Sequence, residues 1–184
     1  MVRVLSSVFV VASLAASSFA TAIPTVEKRG IDGLLSIIQD HFRPNMHNLK
    51  ESVASAHNAA DITHIAVTAG AICTDMKQTA AEANAIKSST GPVSDGDTEK
   101  IIQAINVCKP DMDATLKTIV ARRNDPDLAV SKSLVGQVLT QVHVCFETAA
   151  SALLGITSPS RQAEAGALNT EIDVEFKAAI AAYA

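Results

Sequence analysis

Apolar residues recur along most of the chain at steps of three and four, and they nowhere alternate for long enough to suggest a strand. The first stripe is Ile31, Leu35, Ile38, Phe42, Met46, Leu49, Val53 and Ala56, and it keeps its phase straight across Pro44. Proline removes a backbone donor and clashes with the preceding turn, so this pattern predicts a kinked helix or two short helices sharing one face. A second stripe runs Ile62, Ile65, Ala69, Ile72, Met76, Ala83 and Ile86, with Asp61 as its expected N-cap and Ser88-Ser89-Thr90-Gly91-Pro92 as the loop that ends it. The third begins near Ser94 and Asp97, where acidic side chains suit the positive end of a helix. It continues through Ile101, Ile105, Cys108, Met112, Leu116 and Ile119, with a bend expected at Pro110.

Asn124-Asp125-Pro126 supplies a cap followed by proline, and the fourth stripe is Leu128, Val135, Val138, Val142, Cys145, Ala149 and Leu153, ended by Gly155. Ser158-Pro159 repeats that signal ahead of Leu168, Ile172, Phe176, Ala179, Ile180 and Tyr183. Short connections make consecutive helices antiparallel. The expected fold is therefore all-α, a five-helix bundle of long antiparallel helices.

The residues ahead of the first stripe read differently. Arg3 precedes an apolar, serine-bearing run from Val4 to Ala20 that closes in Ala20-Thr21-Ala22, a small-x-small cleavage pattern. Ser6, Ser7, Ser13, Ser17 and Ser18 make it a poor membrane span. Residues 1–22 are thus expected to be a signal peptide, 23–29 a propeptide ending in the dibasic pair Lys28-Arg29, and 30–184 a single domain. The destination is secretion, extracellular or at the cell wall.

Composition narrows the function. Of 184 residues, 48% are hydrophobic, 18% charged and only 3% aromatic, which excludes a disordered chain. A formal charge of −4 leaves no basic footprint for nucleic acid or an anionic membrane surface. Catalytic patterns are missing as well: there is no G-x-S-x-G elbow, P-loop, G-x-G-x-x-G or H-E-x-x-H. His41, His47, His57, His64 and His143 include no pair four residues apart, and His143-Val144-Cys145 sets two metal-ligand types on different helical faces. Asp95 with Asp97 and Asp111 with Asp113 lie where helix starts and bends favour negative charge. The expectation is a protein with no catalysis, no cofactor and no metal.

Cys73, Cys108 and Cys145 form an odd set, so at most one internal disulfide can form, and spacing does not choose the pair. All three lie on apolar stripes, each about midway along its helix. Three buried thiols acting as small hydrophobes is the favoured reading, because a bundle of this size needs no staple, and a clamp between two of them is the alternative.

Many interior-phase positions are small: Ala66, Ala69, Gly70, Ala80, Ala83, Ala149, Ala150 and Ala152. Close helix approach is the simpler explanation. An apolar channel between helices bent at Pro44 and Pro110 is the other.

Three segments carry a family likeness. Gly96-Asp97-Thr98-Glu99-Lys100-Ile101-Ile102-Gln103-Ala104-Ile105, the stretch from Leu116 through Lys117, Thr118, Ile119, Val120 and Ala121 to Arg122-Arg123, and above all the ending from Ile172-Asp173-Val174-Glu175-Phe176 to Tyr183 resemble the hydrophobic surface binding protein A family of filamentous fungi, which includes cell-wall galactomannoproteins. The resemblance implies a secreted helical domain that adsorbs to hydrophobic surfaces or encloses a fatty acid between five helices. It favours the channel over the packed core. The chain departs from the family pattern in its three cysteines and in having no Ser/Thr-rich wall-anchoring tail, which favours free secretion.

The leading expectation is binding of a long-chain fatty acid or similar lipid in an apolar cavity. Its lining would come from the large inward residues Phe42, Ile65, Ile72, Met76, Ile105, Met112, Leu116, Leu139, Val142, Phe146, Ile172 and Phe176, with the two methionines adapting to different chains. The alternative is an adhesion protein that adsorbs to hydrophobic solids and recruits a secreted hydrolase there.

Overall fold

The computed structural model describes residues 30–125 and 132–184. The expected signal peptide and propeptide, together with Pro126 and Leu128, lie outside the described residues. Within them the chain is helical and contains no strand.

The first rod is composite. Helix α1 (Gly30–Ser36) passes into a π-helical stretch, Ile37–Phe42, and then into α2 (Arg43–Ser55). The wide turn is visible in one bond: the Arg43 N–H donates to the Ile38 carbonyl, five residues back. Pro44 follows at once, at the start of α2 where a missing N–H is tolerated. One face survives this adjustment, because Leu34, Ile38, Phe42, Met46, Leu49 and Val53 are all buried.

Helix α3 (Ala59–Thr90) starts one turn earlier than expected. Its N-cap is Asn58, whose side chain accepts from the Ala60 and Asp61 N–H groups, while Asp61 reaches back to the Asn58 N–H in a reciprocal capping box. The helix ends at Gly91, whose φ of 75° is open to glycine and strained for other residues. Helix α4 (Asp95–Ala121) is capped by Ser94, which accepts from the Asp97 N–H, and carries Pro110 in its interior. Helix α5 (Lys132–Leu154) and helix α6 (Gln162–Ala181) complete the five rods, the last entered through a 3-10 turn at Pro159–Arg161.

Consecutive rods reverse direction, but the most extensive contact is between α3 and α5, which are not consecutive. These two run the same way: the Val93 N–H just beyond α3 donates to the Ile156 carbonyl just beyond α5 at 2.8 Å, and their middles are joined by a disulfide between Cys73 and Cys145 with a Cα separation of 5.4 Å. The favoured expectation of three free thiols is thereby corrected. Cys108 alone is free, and it is buried. The small buried side chains of Ala80 and Ala83 on α3 and Ala152 on α5 suit this proximity.

Arg122, just past α4, pins the far end of the first rod. One terminal nitrogen donates to the Val53 carbonyl at 2.7 Å and reaches Ala54 at 3.5 Å, the other donates to Ala56, and Asp125 pairs with the guanidinium at 3.0 Å. Three carbonyls at the C-terminus of α2 are thus capped by a side chain from another helix. Arg122→Ala is expected to destabilise the domain by about 2–3 kcal/mol, since it strips charge-assisted bonds from half-buried acceptors. Urea unfolding measures this, and a change below about 0.5 kcal/mol would show that water replaces the guanidinium without loss.

A buried carboxyl provides a second test. Asp75 on α3 is 7% exposed, accepts from Asn45 Nδ2 at 2.7 Å, and burial pushes its pKa above the usual carboxylate value, partly offset by the Asn45 bond and His41. A raised carboxyl pKa means that ionisation opposes folding, so stability declines as pH climbs from the unfolded-state pKa through the folded-state value. Asp75→Asn, whose amide oxygen can still accept from Asn45, should raise the urea midpoint at pH 7, and this gain should vanish in acid, where the native aspartate is protonated. An equal gain at both pH values would dismiss the desolvation argument.

Candidate functional site

The rods do not close completely on one another. Two apolar cavities lie in series along the bundle, with voids of ≈ 780 and ≈ 750 Å³, their open mouths included.

The first cavity is lined from every rod. Ile38 and Phe42 come from the π-helical stretch, Met76 and Thr79 from α3, and Ile101, Ile102, Ile105 and Met112 from α4. Across from them stand Phe146, Ala149, Ala150, Leu153 and Leu154 of α5, with Ala165, Leu168, Asn169 and Ile172 of α6. The small side chains of Ala149 and Ala150 therefore leave room here, whereas the alanines at the α3–α5 seam remove it. Of its polar lining residues, Thr98 is 1% exposed and its hydroxyl accepts the Ser158 N–H at 3.0 Å, while the Thr157 hydroxyl donates to the Leu153 carbonyl at 2.9 Å. Both hydroxyls are engaged by the protein, so the wall they contribute is effectively apolar.

The second cavity takes Met46, Leu49 and Val53 from α2, Ile62, Ile65 and Ala69 from α3, and Leu116 and Ile119 from α4. Val135, Val138, Leu139 and Val142 of α5 and Phe176 of α6 close it. Among the described residues its only charged lining residue is Arg122, whose guanidinium donors are occupied by the α2 carbonyls and Asp125. Tyr183, beside it, donates its hydroxyl to the Ile119 carbonyl at 2.8 Å, and burial raises its pKa. The cation therefore acts as a clamp and offers no free donor to an acidic ligand.

Met112 lines both cavities, and the Phe146 and Phe176 rings, one from each, stack with centroids 5.5 Å apart. The partition is thus made of a flexible thioether and two aromatic rings.

Of the residues expected to line a cavity, Phe42, Met76, Ile105, Phe146 and Ile172 face the first, Ile65, Leu116, Leu139, Val142 and Phe176 the second, and Met112 both. Ile72 faces neither: it is fully buried in the packed core, next in sequence to the disulfide. The stripes did not reveal the polar members of the lining, although Thr98 precedes Ile101 by three residues, Asn169 precedes Ile172 by three, and Arg122 follows Ile119 by three. Each is in phase with the stripe it extends.

No protein-family model matches the chain, and no curated protein sequence matches it. Solved structures do. The fold is similar to that of Afmp4p in complex with palmitic acid, with a TM-score of 0.75 and 21% identity over 84% of this chain and 99% of that one. It is also similar to ligand binding domain 1 of the Penicillium marneffei MP1 protein complexed with arachidonic acids, with a TM-score of 0.72 and 10% identity over 82% and 97% of the two chains. Domain 2 of that protein, complexed with multiple arachidonic acids, gives 0.71 and 12% over 85% and 97%. At these identities the likeness establishes a common fold.

Proposed function

We propose that this chain is a non-catalytic carrier of long-chain fatty acids, held in the apolar cavities between its helices. The observation that carries the reading is the first cavity, an opening walled by five rods whose lining is almost entirely hydrocarbon. Three solved structures of the same fold, from two proteins, hold palmitic or arachidonic acid, which supports the same ligand class here.

Energetics permit it. About fifteen methylenes withdrawn from water contribute roughly 12 kcal/mol at ~0.8 kcal/mol each. Association and ordering consume at least about 4 kcal/mol, leaving up to about 8 kcal/mol, which corresponds to micromolar affinity. Met112 between the cavities lets the partition adjust to the length of chain that enters.

The secreted location rests on the signal-like residues 1–22 and the dibasic pair. Membership of the hydrophobic surface binding protein A group rests on the resemblance of the three segments quoted above. Adsorption to hydrophobic solids has less support: the exposed large hydrophobics among the described residues are Val67, Val107, Val144 and Val174, one on each of four helices, and do not form a continuous face. Adsorption would have to open the bundle.

Native mass spectrometry of the purified protein should show a co-purifying fatty acid, and delipidated protein should take up palmitate saturably. A clean apo mass combined with no uptake would reject the reading.

A further inference from the structure

We propose a divalent metal site of the zinc class on the outer side of the α5–α6 pair, formed by His143, Glu147 and Asp173. His143 and Glu147 stand one turn apart on α5, and Asp173 reaches across from α6. Their ligand atoms all lie within 4.8 Å of one another, with His143 Nε2 2.7 Å from Asp173 Oδ1 and 3.8 Å from Glu147 Oε1. Tetrahedral zinc with bonds of about 2.0–2.2 Å sets its ligands about 3.3 Å apart, so the observed separations bracket the required one. Rotation of the 55% exposed Glu147 side chain closes its gap, and the His143–Asp173 pair opens by about 0.6 Å to admit the ion.

The surroundings hold two of the ligands and leave the third free to close. The imidazole is 8% exposed and rests against the Phe176 ring at 5.4 Å. Asp173 Oδ2 accepts from Lys177 Nζ at 2.7 Å, which fixes the carboxylate while Oδ1 points at His143, as outer partners do around metal-binding carboxylates. The Glu147 side chain, by contrast, is 55% exposed, with a long contact to His143 and an electrostatic interaction with Lys177.

An independent observation lies one turn before Asp173. Asn169 Oδ1 is sealed from solvent and has no hydrogen-bond partner, yet Asn169 shares a polar surface pocket with Glu147, Ser151 and Asp173. A buried acceptor left without a donor is unfavourable. Asn169 lines the first cavity as well, and a water carried inward by an ion in the surface pocket would supply the donor that this oxygen lacks. One imidazole with two carboxylates suits zinc and its neighbours better than calcium or magnesium, which favour sites built from oxygen alone. The helical spacing missed this set because Asp173 comes from a different rod.

The test uses untagged protein stripped with a chelator and titrated with cobalt(II). One equivalent should produce the intense visible absorption of tetrahedral cobalt and be displaced by zinc, and zinc should raise the thermal midpoint. Glu147→Gln, at a position whose side chain is 55% exposed, should weaken zinc binding at least tenfold and abolish that rise; Asp173→Asn should do the same. No cobalt band and no zinc-dependent midpoint would overturn the proposal. Unchanged affinity in Glu147→Gln, or binding lost on alkylation of Cys108, would also overturn it by placing the ion elsewhere.

Discussion

The double replacement Cys73→Ala/Cys145→Ala should lower the unfolding free energy by about 4 kcal/mol. The disulfide closes a loop of 72 residues, and the chain-entropy relation for a loop of that length gives about 4 kcal/mol at 25 °C. Two features keep the native state able to accept the bond: the backbones are already 5.4 Å apart at the two Cα atoms, and the surrounding seam is built from alanines. For a domain whose total stability is on the order of 5–15 kcal/mol this is a large fraction. Guanidinium unfolding of the oxidised protein against the variant measures it. A loss under 1 kcal/mol would mean that the unfolded chain is already compact enough to make the covalent loop redundant.

The second large effect concerns the ligand. Ala149→Phe should weaken palmitate binding about a hundredfold while leaving the unfolding midpoint unchanged or higher. Ala149 is 6% exposed and lines the first cavity from the C-terminal part of α5. A benzyl group placed there occupies space that roughly four methylenes would otherwise take, worth about 3 kcal/mol of ligand burial. In a filled core the same change would overpack and lose about 1–3 kcal/mol of stability. The two signs therefore separate a real void from a packed interior. Isothermal titration with delipidated protein and a parallel melting curve read both, and a destabilised variant that binds palmitate normally would refute the assignment of this cavity.

How much could be read without coordinates depended on whether the signal was local. The five rods were legible because a stripe of period 3.6 requires only neighbours along the chain, and Ser94 and Gly91 mark helix ends by chemistry confined to one turn. Asn58 was missed in favour of Asp61 because both belong to one capping box, and the sequence names the pair without saying which member is outside the helix. The π-helical stretch was invisible for a different reason: inserting one wide turn before Pro44 preserves the buried face that the stripe reports. Spatial order was beyond reach. Five stripes of similar composition do not say that α3 lies beside α5, so Cys108 appeared as good a partner for Cys73 as Cys145 was. In the site, most large lining residues follow from being large and in phase. Ile72 shows the limit, since a residue can be on the inward face and still meet another helix with no space between them.

The order of the cysteines along the chain sets a problem of timing. On the proposed secretory route, a chain entering an oxidising compartment N-terminus first would present Cys73 and then Cys108 well before Cys145, so the earliest pair that chemistry could form is absent from the finished bundle. Thiol exchange can correct it only while the displaced sulfur remains accessible and ionisable. Once α4 docks, burial holds the Cys108 thiol at a pKa of about 11 and withdraws it as a nucleophile. The hydrophobic core thus acts as a proofreader of oxidation, locking the correct pairing by silencing the competitor.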